Sequence, residues 1–321
     1  MKKECREEQC KRYNDMKKSY HLCLSAGDEI MFRDLEDYRR GFNCFAIALY
    51  KTGSTGLVEA FMSNHFHLMI QTEDPKGFMY NMRQPYSKFF NQKYGRDGAL
   101  GEKDHFQLEI RGLHHHLAAM SYILRNPLHH GVAPIPYAYP HSSVNVIFQK
   151  EMGKRNTDAL IPQKSYYKHI GRRAVYPDTY KMNDKGMFLR ESVLDIVQVE
   201  NMYASPRGFD FYMGRKTSED WMNEQGKDKT ESVPVRLEDI ENGVTIQSLE
   251  KMLINEHGRG DYRKMSYIDV CRLVDHQILP SMRKHSIYLL TAKEKEKIAE
   301  HLFKTYHIGS DMIRRCLAMK V

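Results

Sequence analysis

Two histidines, His65 and His67, have the clearest chemical potential in the chain, because they interrupt the apolar run FMSNHFHLMI. In a β-strand, residues i and i+2 project from the same face, so both imidazoles would point together. Two neutral imidazoles at this spacing can bind one divalent cation and leave room for a phosphate oxygen. The alternative is a pair of partly exposed strand histidines, although the apolar flanks make two unpartnered histidines costly there. We therefore predict that His65 and His67 form a metal-binding pair.

A second candidate is the string YILRNP, residues 122–127. On a helix, Tyr122 and Asn126 are four residues apart and share a face. A phenol beside an amide oxygen suits a site in which one attacks and the other binds the same metal. The alternative is a helix that buries Tyr122 and ends at an ordinary Asn-Pro stop. Taken alone, this string favours the alternative.

Hydrophobic periodicity predicts the elements that would position these residues. The predicted elements are a strand at 19–24, a helix at 32–51, strands at 57–62 and 65–72 joined by the tight turn Ser63-Asn64, a helix that stops at 94–98, a strand at 106–110, and a helix at 114–124 that ends at Asn126-Pro127. The resulting order, β-α-β-β-α-β-α, predicts an α+β domain over residues 1–150, with helices packed on an antiparallel sheet.

The rest of the chain divides into two further regions. Residues 151–235 are interpreted as a connecting region that ends in a charged linker, GRKTSEDWMNEQGKDKTESVP. Residues 236–321 are predicted to be an α-helical domain. Its end reads as two helices, with a turn over 306–309 and Ser310 as the N-cap of the second helix. This end resembles a helix-turn-helix in which Arg314 and Arg315 reach DNA, and the alternative is a helical hairpin with a basic, solvated face.

The composition limits the classes of partner. A net charge of +8 over 321 residues is compatible with a phosphate-rich partner, although many cytosolic proteins are mildly basic. No apolar run reaches the roughly 18 residues of a membrane-spanning helix. The charged start of the sequence lacks the apolar stretch of a signal peptide. We therefore expect a cytoplasmic protein, associated with the nucleoid when bound to DNA.

Several strings occur together in the order of a known family. HFH on a strand, then YILRNPLHHG and PYAYPHSSV, together with SNHFHLMIQT and PYSKFFNQKYGRDGAL, resemble the REP-associated branch of the single-tyrosine HUH transposases over residues 18–148. The resemblance implies a ferredoxin-like HUH nuclease domain. It also implies that His65 and His67 bind a divalent metal, Mg²⁺ or Mn²⁺, with Asn126 as third ligand and Tyr122 as nucleophile. The stretch ALGEKDHF departs from the family, whose members carry aromatic and basic residues there, so DNA contacts of this loop are in doubt.

The resemblance implies a single-stranded-DNA endonuclease and strand transferase that acts on hairpin-forming DNA through a 5′-phosphotyrosyl intermediate. Relatives act as dimers, and the sequence leaves open whether this chain forms a homodimer. One alternative is a domesticated, non-cleaving regulator that binds DNA hairpins. Another is a histidine-triad hydrolase, which would need a histidine where Met69 stands. His114-His115-His116 and His129-His130 are alternative metal ligands, although solvent or phosphate contacts suit them better.

Overall fold

The sheet at the centre of the fold positions the predicted ligands. The computed structural model describes residues 18–130, 132–154, 156–214 and 265–319. Its first elements are β1 (Ser19–Ser25), α1 (Leu35–Lys51), β2 (Thr55–Phe61), β3 (His65–Gln71), α2 (Pro75–Tyr94), β4 (Phe106–Ile110) and α3 (Leu113–His129). All strand pairs are antiparallel, in the spatial order β2-β3-β1-β4. The predicted α+β architecture and element order are confirmed.

The alternation of β3 separates two cores on the two faces of the sheet. Phe66, Leu68 and Ile70 face α1 and α2, where they join a cluster rich in phenylalanine. Met69 faces the opposite way, into the cluster formed with α3. His65 and His67 share the face of Met69 because each lies an even number of residues before it on the strand. The two histidines therefore lie between the sheet and α3.

The helix α3 is longer than predicted. The expected end at Asn126-Pro127 is wrong, because the helix continues to His129 with Pro127 inside it. Proline has no N–H, so its position loses one helical hydrogen bond. The last turn is nevertheless closed, since the backbone N–H of His130 donates to the carbonyl oxygen of Asn126 over 3.1 Å. This extra turn carries His129 and His130 beyond the predicted stop.

Residues 156–214 pack around the β2 edge of the sheet. Their helices are α4 (Tyr167–Ile170), α5 (Arg190–Val193), α6 (Ile196–Tyr203) and α7 (Pro206–Gly214). Leu194 forms a parallel bridge to Gly56, and the N–H of Asp195 donates to the Gly56 carbonyl oxygen over 2.9 Å. Ile170 is buried in the core beneath α1, whereas Phe209 is buried in the core beneath α3. The charged linker predicted at the end of region 151–235 lies almost entirely outside the described residues.

The C-terminal helices form a unit with a core of their own. They are α8 (Tyr267–Leu273), a π-helical turn (Val274–Ile278), α9 (Leu279–Ser281), α10 (Ala292–Tyr306) and α11 (Ser310–Cys316). The two closing helices are present, but the N-cap of α11 is Gly309, which has no side chain to accept a capping hydrogen bond, so the prediction of Ser310 as the cap is wrong. Residues 236–264 of the predicted helical domain lie outside the described ranges. No helix within those ranges is long and apolar enough to span a bilayer.

A buried arginine joins this unit to the sheet domain. Arg33, in the loop between β1 and α1, is 1% exposed. Its Nε and Nη2 donate to the two carboxylate oxygens of Asp275 over 2.9 and 2.8 Å. Its Nη1 donates to the carbonyl oxygen of Cys316 over 3.0 Å. A guanidinium with so little exposure needs such a partner set, because burying an unpaired charge costs several kcal/mol.

We predict that Asp275→Ala lowers the free energy of unfolding by about 3–5 kcal/mol, because it leaves the buried charge of Arg33 unpaired. The matched control is Asp311→Ala, whose side chain is 58% exposed; its effect should stay within about 0.5 kcal/mol. Urea denaturation followed by circular dichroism measures both. Equal stability of the two variants would contradict the structural role assigned to Arg33.

The double variant Arg33→Met with Asp275→Leu separates the charge from the packing. Because it removes both members of the buried pair, it should be less destabilised than Asp275→Ala alone. A double variant as unstable as the single one would mean that packing volume, rather than the unpaired charge, causes the loss.

Candidate metal centre

Three side chains from β3 and α3 converge at one point. The Nε2 atom of His65 lies 3.1 Å from Oδ1 of Asn126, and Nε2 of His67 lies 3.2 Å from Nδ2 of Asn126. All three residues are fully buried. Neighbouring ligand atoms of an octahedral cation with bonds of about 2.1 Å are separated by about 3 Å. The separation between Nε2 of His65 and Oδ1 of Asn126 therefore fits two ligands of one divalent cation, and His67 lies beside them.

Both ring nitrogens of His65 face the side-chain amide of an asparagine. Asn64 donates its Nδ2 to the carbonyl oxygen of Gly27 over 2.8 Å, which turns its Oδ1 toward Nδ1 of His65 at 2.9 Å. Oδ1 of Asn126 faces the other ring nitrogen. With the amide of Asn126 in this orientation, a neutral His65 ring can donate its single N–H to only one of the two amide oxygens, whereas the opposite orientation of that amide lets its Nδ2 donate to Nε2 of His65.

A divalent cation would also satisfy these groups. With the proton on Nδ1, His65 donates to Asn64, and its Nε2 lone pair is available at the point where Asn126 supplies an oxygen. Outer hydrogen bonds of this kind fix the tautomer and ring orientation of metal-bound histidines. A doubly protonated His65 would also satisfy both oxygens, but a charge on a fully buried ring is costly. The donor set therefore fits a divalent metal.

A third histidine, His21 on β1, supports His67 from behind. Nε2 of His21 lies 3.0 Å from Nδ1 of His67. When Asn126 donates its Nδ2 to Nε2 of His67, the proton of a neutral His67 ring is on Nδ1 and is donated to His21. Burial lowers the pKa of His21 to about 3, and burial with the neighbouring histidines holds the pKa of His67 well below its usual range. Both rings are neutral near pH 7, and this is the protonation state that binds metals.

Tyr122 lies beside this cluster. It is half-buried on α3, one turn before Asn126. Its ring centroid is 5.5 Å from that of His67 and 6.0 Å from that of His21, and His129 stacks on it at 6.0 Å. A phenol in this position is next to the imidazole-amide cluster and remains partly open to a substrate.

Of the two histidine clusters considered as alternative ligands, only the second lies near these residues. The ring of His130 is 5.4 Å from that of His65. His116, in contrast, contacts Ser19 and the carbonyl oxygen of Gly112. Within the described part of the chain, no group of three or more His, Cys, Asp or Glu residues could hold a metal ion. A metal at this point would therefore need the amide oxygen of Asn126 as a third donor.

Sequence analysis did not identify His21 as part of the cluster. Because Cys23 pairs with His67 across the sheet, the alternation of β1 places His21 on the same face as both ligands. This inference requires the strand register, which a single sequence does not supply. Asn64 was visible as the residue that precedes the histidine pair, but its bond to Gly27 was not.

Arg314 and Arg315 lie where the C-terminal unit meets the β1–α1 loop. Arg315 Nη1 is 2.7 Å from one carboxylate oxygen of Asp28, and Arg314 Nη1 is 3.4 Å from the other. The Arg315 side chain is 10% exposed. Their contact with DNA stays a prediction.

The chain can be compared with protein families, curated proteins and solved structures. No protein-family model matches the chain, and no curated protein matches it. Among solved structures, the chain is similar to a REP-associated tyrosine transposase bound to a REP hairpin. The identity is 11% and the TM-score is 0.36, over 43% of this chain and 81% of that chain.

We predict that His65→Ala and His67→Ala each lower the affinity for Mn²⁺ by at least about 100-fold, because each removes a direct ligand, and loss of an outer-shell partner alone costs about 10–100-fold. His301→Ala, which removes an exposed histidine on α10, is the control and should bind as the unaltered protein does. Titration calorimetry measures the affinities. Undiminished affinity in both site variants would place the metal elsewhere.

We also predict that Asn64→Ala lowers the Mn²⁺ affinity by about 10–100-fold, because the His65 ring loses the acceptor that fixes its tautomer. Asn81→Ala is the matched control, since Asn81 also donates its amide to a backbone carbonyl, that of Gly77, over 2.9 Å. The same titration applies. Equal affinities of the two variants would show that Asn64 does not orient the ligand.

Proposed function

We propose that this protein is a metal-dependent single-stranded-DNA endonuclease and strand transferase of the HUH type, with Tyr122 as nucleophile. The observation that carries the proposal is the convergence of His65, His67 and Asn126 beside Tyr122. Such a site combines a cation-binding donor set with a nucleophile that forms covalent intermediates.

The sheet supports the assignment to a ferredoxin-like HUH domain. Four antiparallel strands in the order β2-β3-β1-β4, built from a β-α-β-β-α-β chain, form the split βαβ arrangement. The central strand β3 presents His65 and His67, and α3 lies across it with Tyr122 and Asn126. A nuclease site between a central strand and a covering helix needs both elements in these positions.

The residues that would hold the metal are His65 and His67 through Nε2 and Asn126 through Oδ1. Mixed nitrogen and oxygen ligands suit Mn²⁺ or Mg²⁺, and the two imidazoles favour Mn²⁺ in vitro. When bound, such a cation would neutralise charge that develops on the scissile phosphate. Asn126 would turn its amide oxygen toward the ion, which ends its present donation to His67.

Tyr122 would carry out the covalent step. Its phenolic oxygen attacks the phosphorus, and the bond from phosphorus to the 3′-oxygen breaks as the new bond forms. The phenol loses its proton and the departing oxygen gains one, leaving a 5′-phosphotyrosyl protein and a free 3′-OH. When the 3′-OH of a second strand attacks this phosphotyrosine, the phosphodiester is restored and Tyr122 is released. The exchange needs no external energy source, because one phosphate ester replaces another.

The proposed substrate is single-stranded DNA that folds into a hairpin. The net charge of +8 supports a polyanionic partner. The half-buried position of Tyr122 favours an unpaired strand, because a flexible backbone can enter a site that a rigid duplex cannot. Cleavage beside a hairpin would supply the 5′-phosphotyrosyl end and the free 3′-OH that the transfer step requires.

We predict that Tyr122→Phe abolishes a covalent protein–DNA adduct and leaves hairpin binding within about twofold, because it removes only the attacking oxygen. The assay incubates the protein with Mn²⁺ and labelled hairpins from the DNA around its gene, followed by a denaturing gel. Tyr80→Phe, at an exposed position on α2, is the control and should form the adduct normally. EDTA should prevent adduct formation in every sample.

Two other outcomes would change the proposal. An adduct that persists in Tyr122→Phe would assign the nucleophile to another residue. Tight hairpin binding without an adduct in the unaltered protein would support the alternative function, a non-cleaving regulator that binds DNA hairpins.

A further inference from the structure

Six cationic residues occur on two elements that are in contact, α1 and the segment 164–173. Arg39 and Arg40 belong to α1, and the others occupy the segment 164–173. We call the set the basic surface; it comprises Arg39, Arg40, Lys164, Lys168, Arg172 and Arg173, of which the last four are exposed. The two parts are in contact, because Nη1 of Arg40 donates to the backbone carbonyl oxygen of His169 in α4.

The basic surface keeps a net positive charge. Within the described ranges, none of the six forms an ion pair with a carboxylate. Arg39 and Arg40 donate to backbone carbonyl oxygens instead. Of two neighbouring carboxylates, Asp158 pairs with Lys185, whereas Asp178 accepts from the neutral amide of Gln163 and keeps its negative charge. A cluster of one sign concentrates the electrostatic potential and attracts a polyanion.

An exposed aromatic ring stands among these charges. Tyr167 is 46% exposed, and the guanidinium carbon of Arg172 lies 5.9 Å from its ring centroid. An isolated exposed tyrosine needs no explanation. A ring beside Arg172, with the exposed Lys164 and Lys168 close by in the chain, however, provides the combination that binds single-stranded nucleic acid, in which cations contact the phosphates and a base stacks on the ring.

The basic surface lies on the other side of the sheet from the candidate metal centre. Tyr166 and Ile170, on either side of Tyr167, are buried in the core between the sheet and α1. His65 and His67 face α3. A strand at one place does not occupy the other, so the basic surface is a separate site.

We propose that the basic surface binds a nucleic-acid strand, with phosphodiesters on its six cations and an unstacked base on Tyr167. This site goes beyond the proposed cleavage and does not depend on it, since none of its residues contacts Tyr122 or the ligands. It would hold a stretch of nucleic acid other than the one at the metal centre.

The first experiment measures the salt dependence of binding. The surface variant combines Lys164→Ala, Lys168→Ala, Arg172→Ala and Arg173→Ala. The control combines Lys51→Ala, Lys103→Ala, Lys293→Ala and Lys297→Ala, which removes the same charge from exposed positions elsewhere. Both carry Tyr122→Phe to prevent cleavage. Fluorescence anisotropy gives the Kd for labelled single-stranded DNA, single-stranded RNA and duplex DNA over a series of salt concentrations.

For single-stranded DNA, the slope of log Kd against log salt should fall by about 3 in the surface variant, since each lost phosphate contact contributes about 0.7. The control variant should keep the slope of the parent. Slopes that change equally in both variants would overturn the proposal, because net charge alone would then explain the binding. Loss of binding to anionic phospholipid vesicles, with DNA and RNA binding intact, would also overturn it and assign the surface to a membrane.

The second experiment tests the ring. Tyr167→Ala should weaken binding of single strands by about 5- to 100-fold and of duplex much less, because only an unstacked base can lie on the ring. Tyr167→Phe retains the aromatic face and should bind as the parent does. Equal effects of Tyr167→Ala on single strands and duplex would contradict base stacking. The DNA and RNA arms show which strand is preferred, and the adduct assay reports independently on cleavage.

Discussion

The pairing of Arg33 with Asp275 is the constraint on which the arrangement of the chain depends. It joins two residues that are 242 positions apart. Loss of either partner would leave a buried charge unpaired, which is strongly destabilising. The loop that carries Arg33 is also bonded on its other side, since the N–H groups of Met31 and Phe32 both donate to the carbonyl oxygen of Ser63 over 2.9 Å. Ser63 is next to Asn64, whose amide bonds Gly27 and orients His65. Hydrogen bonds, joined by the short chain segments 31–33 and 63–65, thus connect the C-terminal helices to the candidate metal centre.

The candidate centre itself follows from elementary β-sheet geometry combined with burial. Alternation along β3 places His65 and His67 on one face, and antiparallel pairing with β1 brings His21 behind them. Burial lowers the pKa of His21 and of His67, so the lone pairs of these two rings remain available without competition from protons. An apolar enclosure would normally be a poor place for three imidazoles. Here each of them has a specific ring-nitrogen contact within the cluster.

Much of the fold could be predicted from sequence because its signals are local. Apolar periodicity and the Ser63-Asn64 turn gave the element order, and helical spacing put Tyr122 and Asn126 on one face. Non-local features could not be predicted in this way. The continuation of α3 through Pro127 depends on hydrogen bonds made after the proline. The packing of residues 156–214 depends on scattered apolar residues such as Ile170 and Phe209, which bury on two different faces without a regular period. The contacts of His21, Arg33 and Asp275 require knowledge of the register or of the tertiary contacts.

Tyr122 and Asn126 belong to the same helix, separated by one turn, and α3 is packed along its length against β2 and β3. A helix of this kind moves as a rigid body, so the two side chains have no independent freedom to leave the sheet. Any displacement of α3 that carried a tyrosine-linked strand away from the histidines would also withdraw the amide of Asn126. In such a protein, the affinity for the ion and the position of the covalently held strand would both depend on the position of α3. Release of the metal would then accompany displacement of α3.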